Sequence, residues 1–365
     1  MESHAVVFVP PHCPRTDCRF HGCAEGWRWR RHGTFTRASS PRRIPRFRCG
    51  HCGHTFSSQT FSTCYWLKRP DVLPATAHRL LACSGYRQIA REAHCSPSTV
   101  RCHANRLGRH ALLWLHRHRP AGPVAEPLVI DGFEGFAHSQ YHPLYLNLVI
   151  GAASHYGYAF TFTELRRKGR MSAPQKRRRA DLERRFGRPE PRGIEHGTRA
   201  ALELAVPRPQ TLVVRSDEHV DYPRAIRGLR RHRIQHERTS SQVARTVGNP
   251  LFPVNRLDLL LRHNSANHKR ETIAFSKTLQ SVVYRCAWLL VWVNWTKPFS
   301  ERHGGGTPAM RLGRSERPVP IEEILRGRLF PGRVLLPQPW QDYYWGRVRT
   351  RRFAREHGHG LKLAC

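Results

Sequence analysis

The chain has 365 residues, of which 39% are hydrophobic and 10% are aromatic. This length and composition allow two or three globular domains and exclude a chain that is disordered throughout. Its 62 Lys and Arg residues against 26 Asp and Glu give a formal net charge of +36. So basic a protein attracts dense polyanions, and nucleic acid is the expected partner because binding releases counterions from the phosphate backbone. We do not expect a membrane partner, since the sequence has no amphipathic anchor and no lipidation motif.

Targeting signals are also missing from the sequence pattern. Residues 1–10 lack the basic lead-in of a secretory signal, and the most apolar run, residues 286–293, is too short to span a bilayer. We therefore expect a cytoplasmic protein whose 11 cysteines stay reduced. Reduced cysteines that occur in pairs indicate metal binding rather than disulfides.

Residues 1–66 contain two cysteine pairs with metal-binding spacing: Cys13 with Cys18, and Cys49 with Cys52. The tight second pair lets two thiolates face one tetrahedral Zn²⁺ ion. Between the pairs, Trp27 and Trp29 alternate with Arg28 and Arg30, and this period of two predicts a β-hairpin. We therefore predict a zinc ribbon that owes much of its stability to a structural zinc ion. Four other side chains are alternative ligands: His12, His21, Cys23 and His51.

Residues 67–119 have apolar positions at helical spacing, and residues 86–100 predict a helix, a short turn and a second helix. Ser96 can cap that second helix, with Pro97 in its first turn. This is a helix-turn-helix pattern, in which the second helix would enter the major groove of DNA. The alternative is a helical hairpin that packs on the next domain or mediates dimerisation. The residues predicted to face DNA are Ser98, Thr99, Arg101, Cys102, Asn105 and Arg106.

After a Pro- and Gly-containing linker at residues 120–127, residues 128–300 alternate apolar strands with helical segments. One apolar strand ends in Asp131 and a later one in Asp217. If these strands are parallel neighbours, both acids lie side by side. With a third acid from a helix they can hold two Mg²⁺ ions roughly 3.5–4 Å apart. Each acid alone would more often be a structural residue that caps a loop.

Four motifs follow one another along the chain: Val129-Ile-Asp131-Gly-Phe-Glu, Ser216-Asp217-Glu-His-Val-Asp-Tyr222, Ser276-Lys277 and Asn294-Trp-Thr-Lys297-Pro298. In this order, and behind the zinc-ribbon and helix-turn-helix patterns, they resemble the bacterial insertion-sequence transposases of the DDE class. The resemblance covers most of residues 10–312. It implies a multi-domain α+β protein in which a ribonuclease-H-like α/β catalytic domain follows the two DNA-binding modules.

The resemblance also implies an activity and its requirements. The chain would bind double-stranded DNA at the ends of its insertion sequence, on the bacterial nucleoid, and act as a homo-oligomer. It would cleave and transfer DNA strands with Mg²⁺ or Mn²⁺, held by Asp131, Asp217 and a third acid.

At the third acid the chain departs from the family. In an ungapped comparison, Asn255 occupies the place of the family's glutamate. Asp258 lies three residues further on and hence on nearly the same helix face. We predict Asp258 as the third acid, with Glu271 as the second candidate and Asn255, a neutral ligand, as the third. If none of them reaches the metal ions, the chain is instead a DNA-binding repressor or relic. A structure-specific nuclease of the same fold is a further alternative.

Two basic segments complete the sequence. Residues 166–199 carry 13 Lys and Arg against four acids, and this insertion is either a solvated flexible segment or a clamp on the DNA backbone. Residues 301–365 form a basic tail whose aromatic residues could stack on bases, although we expect them to pack back onto the domain. These aromatic residues are Trp340, Tyr343, Tyr344 and Trp345.

Overall fold

A computed structural model of the chain describes residues 8–351, so residues 1–7 and residues 352–365 of the predicted tail lie outside the described residues. The architecture is mixed α+β, with one three-stranded and one five-stranded sheet. No helix within residues 8–351 is long and apolar enough to cross a membrane.

The strands and α-helices follow in chain order as β1 (Trp29–Thr36), β2 (Arg43–Cys49), β3 (Thr55–Ser57), α1 (Val72–Leu81), α2 (Tyr86–Glu92), α3 (Pro97–Arg117), β4 (Leu128–Phe136), β5 (Pro143–Gly151), β6 (Gly157–Glu164), α4 (Ala173–Phe186), α5 (Gly193–Ala205), β7 (Thr211–Ser216), α6 (Asp221–Arg227), β8 (Arg233–Arg238), α7 (Phe252–Asn264), α8 (Leu279–Trp295), α9 (Pro308–Arg311), α10 (Ile321–Ile324) and α11 (Trp340–Tyr344).

The small sheet contains the predicted hairpin. Strands β1 and β2 pair antiparallel with Trp29 opposite Cys49, and a short third strand, β3, adds to β2. The alternation holds, because Trp27 and Trp29 are partly buried while Arg28 and Arg30 are exposed. The aromatic core under the sheet also includes Phe330 from the C-terminal part of the chain. A ribbon with so few core residues of its own therefore completes its core with a side chain from a distant segment.

The three helices α1 to α3 follow the predicted pattern, and the start of α3 does so in detail. The Ser96 hydroxyl accepts a hydrogen bond from the Thr99 backbone N–H, and Pro97 occupies the first turn. Helix α3 is longer than the predicted recognition helix, with 21 residues, and its second half packs against α8. A Cβ atom at Gly108 would lie 2.2 Å from the Cβ atom of Tyr284, so the glycine allows this close helix contact. Helix α3 thus joins the DNA-contact candidates to the core of the protein.

The large sheet has the strand order β6-β5-β4-β7-β8. Strands β4, β5 and β6 are antiparallel neighbours, whereas β7 is parallel to β4 and β8 is parallel to β7. Helix α5 packs on β5 and β6, and α7 packs on β4 and β5. Strand β5 is buried along almost its whole length, and its sequence is correspondingly a mostly apolar run. In β4 the first three residues are buried, and the strand becomes more exposed from Asp131 onward.

The predicted basic insertion is shorter than we assigned it. Helix α4 has no buried residue, as expected of a solvated basic segment. The last part of the insertion, residues 193–199, instead begins α5, where Ile194 and Thr198 are buried. The Thr161 hydroxyl donates to the Gly197 carbonyl at 2.7 Å, which ties this helix to β6. Local charge therefore masked a helix that belongs to the core.

The described part of the tail packs back onto the protein, as expected. Trp340, Tyr343 and Tyr344 are buried, and the Trp340 indole N–H donates to the Phe160 carbonyl at 2.9 Å. These three rings are not available for base stacking. Further upstream in the tail, the Arg333 guanidinium donates to the His21 carbonyl at 2.6 Å, so the tail also contacts the small sheet.

Candidate functional site

The four predicted zinc ligands come together. The sulfur atoms of Cys13, Cys18, Cys49 and Cys52 all lie within 4.8 Å of one another, and those of Cys13 and Cys52 are 3.7 Å apart. Within residues 8–351 this is the only group of three or more His, Cys, Asp or Glu side chains with ligand atoms that close. The cluster is compatible with a tetrahedral zinc ribbon site, and none of the alternative ligands belongs to it.

The protonation of the cluster also fits a metal site. Burial raises the pKa of the Cys13 and Cys18 thiols. Burial acts the same way on Cys49, but hydrogen bonds from the Cys52 backbone and the Trp27 indole outweigh it and lower the pKa of Cys49 to about 6. The indole nitrogen of Trp27 lies 3.2 Å from the Cys49 sulfur. The raised pKa values of Cys13 and Cys18 mean that these two thiols need a cation to become thiolates near neutral pH. The four cysteines together would supply a zinc ion with four sulfur ligands.

The two strand acids lie on adjacent parallel strands. Leu128 and Val129 of β4 pair with Val214 and Arg215 of β7, and the pairing ends there. Asp131 and Asp217 each come two positions after the last pair, at corresponding positions of the two strands. Asp217 directly follows β7, as predicted. Asp131 lies within β4 rather than at its end, because β4 continues to Phe136 in its pairing with β5.

Helix α7 carries two of the three candidates for the third acid. It packs on β4 and β5 and carries Asp258 and Asn255. Both residues are partly buried and three positions apart. Glu271 lies in the exposed loop between α7 and α8. Asp258 interacts electrostatically with Asp131.

The three aspartates interact through charge. Burial and, next among the charges, Asp217 raise the pKa of Asp131 to about 6. Burial and the charge of Asp131 raise the pKa of Asp258 to about 8, against the opposing effect of Arg262 and Arg245. The Asp258 Oδ1 atom is buried without a hydrogen-bond partner among residues 8–351. A buried carboxylate oxygen without a partner is a fitting ligand for a cation.

The spacing of these carboxylates is wider than that of the cysteines. No three carboxylates within residues 8–351 bring their oxygens within 4.8 Å of one another. A pair of bridging cations does not need such close oxygens, because the ions themselves stand roughly 3.5–4 Å apart. The donor set, all hard oxygen ligands, fits Mg²⁺ or Mn²⁺.

Sequence reasoning missed the surroundings of Asp131. Its Oδ1 atom accepts hydrogen bonds from the Gly132 backbone N–H at 2.7 Å and from the Tyr222 hydroxyl at 3.1 Å. The Tyr145 hydroxyl lies 2.7 Å from that of Tyr222. Tyr222 belongs to the Ser216–Tyr222 motif, but the sequence assigns it no role, and nothing in the sequence marks Tyr145. The Asp217 carboxylate accepts from the His219 backbone N–H at 2.8 Å.

The predicted DNA-contact residues divide into two groups. Ser98, Arg101 and Cys102 are exposed, and Thr99 and Asn105 are partly exposed, so these five lie at the surface of α3. The prediction that Arg106 faces outward is wrong. Arg106 is buried, and its guanidinium donates to the carbonyls of Thr63 at 2.9 Å and Tyr65. It holds the chain that enters α1 against α3 and is not free for a phosphate.

Comparisons with known proteins add little. No protein-family model matches the sequence, and a comparison with curated proteins gave no significant match. The chain is similar to a chain in the cryo-EM structure of the simian T-cell lymphotropic virus intasome in complex with PP2A regulatory subunit B56 gamma. The identity is 14%, over 67% of this chain and 75% of that chain, with a TM-score of 0.25. A TM-score this low does not establish a common fold.

Proposed function

We propose that this protein is a DNA transposase that cleaves and transfers DNA strands at the ends of its insertion sequence, using divalent cations. The observation that carries the proposal is the convergence of Asp131, Asp217 and Asp258. Asp131 lies in β4, Asp217 follows β7, which is parallel to β4, and Asp258 lies on α7, which packs on β4. The charge of Asp217 acts on Asp131, and the charge of Asp131 acts on Asp258. Like charges brought together in a basic protein favour a site built for cations.

The three aspartates would hold Mg²⁺ or Mn²⁺. Such ions lower the pKa of the attacking hydroxyl and stabilise the leaving oxygen in phosphodiester chemistry. The chain's own residues keep the carboxylates in place: the Gly132 N–H and the Tyr222 hydroxyl hold Asp131, and the His219 N–H holds Asp217. Burial and mutual repulsion favour protonated carboxyls until a cation is bound.

In this function, successive segments of the chain would have different roles. Residues 1–66 and 67–119 would grip double-stranded DNA through the ribbon and the exposed face of α3, and residues 120–127 would link them to the catalytic residues 128–300. The mixed sheet with helices packed on it is consistent with the ribonuclease-H-like domain that the sequence resemblance implies. Helix α4 would contact the DNA backbone, because it is exposed and carries six Lys and Arg against two acids. The described part of the tail, residues 301–351, would brace these parts, and the chain would act as a homo-oligomer.

The test is a cleavage and strand-transfer assay on a plasmid that carries the DNA flanking the gene. We expect nicking and joining by the wild type with Mg²⁺ or Mn²⁺. Asp217→Asn and Asp258→Asn should bind the same DNA but leave it intact. A wild type that binds tightly and never cuts with either metal contradicts the proposal.

One observation favours a second candidate, a DNA-binding repressor or relic with an inactive catalytic domain. Asn255 stands where the resembling family has its glutamate, and it is a neutral side chain. The two candidate functions differ in whether the protein binds a divalent cation through Asp131. A relic keeps salt-dependent DNA binding but shows no affinity for Mn²⁺ that depends on Asp131.

A further inference from the structure

We propose that Tyr222, oriented by Tyr145, is a positioning residue that fixes one oxygen of Asp131 so that the other is free to bind a divalent cation. This inference rests on the proposed function, because it assigns roles around the same carboxylates. Neither tyrosine follows from the two-strand, one-helix pattern of acids. Both are defined by contacts that bring β5 and α6 to β4.

The hydrogen bonds form a chain with one direction. Each phenol has a single hydrogen to donate. Tyr222 donates its hydrogen to Asp131 Oδ1 at 3.1 Å. The hydrogen in the 2.7 Å contact between the two hydroxyls therefore comes from Tyr145. A donor that itself accepts a hydrogen bond is polarised and becomes a better donor, so Tyr145 strengthens the bond from Tyr222 to the carboxylate.

These hydrogen bonds engage only one of the two carboxylate oxygens of Asp131. Oδ1 accepts both from the Tyr222 hydroxyl and from the Gly132 backbone N–H, which lies 2.7 Å away. Two donors from different directions fix the rotation of the carboxyl group. The Oδ2 atom then has a fixed direction, as a ligand in a metal site requires.

Gly132 makes room for this arrangement. A Cβ atom at position 132 would lie 1.7 Å from the ring of Tyr145, closer than any side chain permits. The backbone at Gly132 is not in the left-handed region, so space and not conformation requires the glycine. The ring of Tyr145, 5% exposed, therefore lies directly across β4. From this position next to Asp131, the Tyr145 hydroxyl reaches the hydroxyl of Tyr222, which in turn contacts the acid.

The test measures Mn²⁺ affinity of the full-length, zinc-loaded protein by electron paramagnetic resonance of free Mn²⁺. The variants are Tyr222→Phe, Tyr145→Phe, their combination and Asp131→Asn. Tyr158→Phe is the matched control, because its hydroxyl also donates to a carboxylate, that of Glu126 at 2.9 Å, outside the site. Thermal unfolding without Mn²⁺ reports any loss of folding in each variant.

We expect Tyr222→Phe to weaken Mn²⁺ binding by about tenfold, as loss of a partner that orients a ligand typically does. Tyr145→Phe should weaken it by about two- to threefold, since it acts only by polarising Tyr222. In the Tyr222→Phe background the Tyr145→Phe effect should vanish, and Tyr158→Phe should bind like the wild type.

Two outcomes overturn the inference alone: Mn²⁺ affinity that depends on Asp131 but is unchanged in Tyr222→Phe, or a Tyr145→Phe penalty of equal size with and without Tyr222. If Tyr222→Phe does not fold, Tyr145→Phe decides by itself, and affinity equal to the wild type overturns the inference. By contrast, wild-type Mn²⁺ binding that is absent, or unaffected by Asp131→Asn, overturns the proposed function itself.

Discussion

Burial and, after it, the negative charge of Asp131 raise the pKa of Asp258, although Asp131 lies in a central strand and Asp258 on a helix much later in the chain. This relationship ties α7 to the sheet at the point where β4 and β7 stop pairing. It also makes the stability of the metal-free protein depend on pH, since two raised carboxyl pKa values favour protonated groups in the folded state.

The first prediction concerns that pH dependence. A carboxyl whose pKa is raised by folding stabilises the protein fully below its unfolded pKa of about 3.9, and this contribution is lost as pH rises through the folded pKa. For Asp131 the loss is complete soon above pH 6, and for Asp258 soon above pH 8. Between pH 6 and 8, Asp258 therefore dominates.

We expect the free energy of unfolding of the zinc-loaded, Mg²⁺-free wild type to fall by about 2 kcal/mol more than that of Asp258→Asn over this interval. Urea unfolding at pH 6, 7 and 8 measures it. Added Mg²⁺ should remove the difference in slope, because a bound cation keeps the carboxylate ionised. Equal slopes for wild type and variant without Mg²⁺ would show that Asp258 does not carry the raised pKa.

The second prediction concerns zinc. One zinc ion per chain should be found by elemental analysis, and Cys49→Ser should lose it, because the four sulfur atoms are close enough for a single tetrahedral ion. Loss of zinc should also abolish the near-ultraviolet dichroism of Trp27 and Trp29, which pack in the small ribbon core. Cys23→Ser is the control, since Cys23 is exposed and outside the cluster. Zinc retained by Cys49→Ser and lost by Cys23→Ser would reverse the ligand assignment.

The third prediction tests the close approach of Tyr145 to β4. Gly132→Ala should destabilise the protein by about 1–3 kcal/mol, the usual cost of overpacking a core. Gly327→Ala is the control, because a Cβ atom there meets no atom within 4 Å. Denaturant unfolding measures both. A Gly132→Ala protein as stable as the wild type would mean that the Tyr145 ring does not lie across the strand.

The fourth prediction separates two arginines of α3. Arg101 is exposed, and Arg101→Ala should reduce the slope of log K against log salt concentration for DNA binding by about 0.9, without loss of stability. Arg106 is buried on two carbonyls, and Arg106→Ala should leave the slope unchanged but cost about 2 kcal/mol of stability. Fluorescence anisotropy across a salt series and urea unfolding measure the two effects. The opposite assignment of effects would restore Arg106 as a DNA contact.

Much of the site was predictable because its signals are local. Cysteine spacing predicted the four cysteines that cluster, and the alternation of tryptophan and arginine predicted the hairpin. Apolar runs that end in Asp131 and Asp217 predicted two of the candidate acids. The sequence could not show that β4 continues past Asp131. Strand length there depends on its partner β5, which is a tertiary pairing.

The failures share a physical cause, because burial is decided by distant segments. Helical spacing alone does not show whether Arg106 points to solvent or into the protein. Its hydrogen bonds to the carbonyls of Thr63 and Tyr65 place it inside. The charge of residues 166–199 hid the buried start of α5. The contact between Tyr145 and Tyr222 joins β5 to α6, and no sequence period reports such a pair.

In the proposed function, Asp131, Asp217 and Asp258 together bind the divalent cations. Anomalous diffraction from crystals soaked in Mn²⁺, recorded on both sides of the zinc absorption edge, tests it most directly because it separates the two metals. We expect manganese about 2.0–2.3 Å from carboxylate oxygens of these three residues, and zinc only at the four cysteines. Manganese bound elsewhere, with none at the three aspartates, would contradict it.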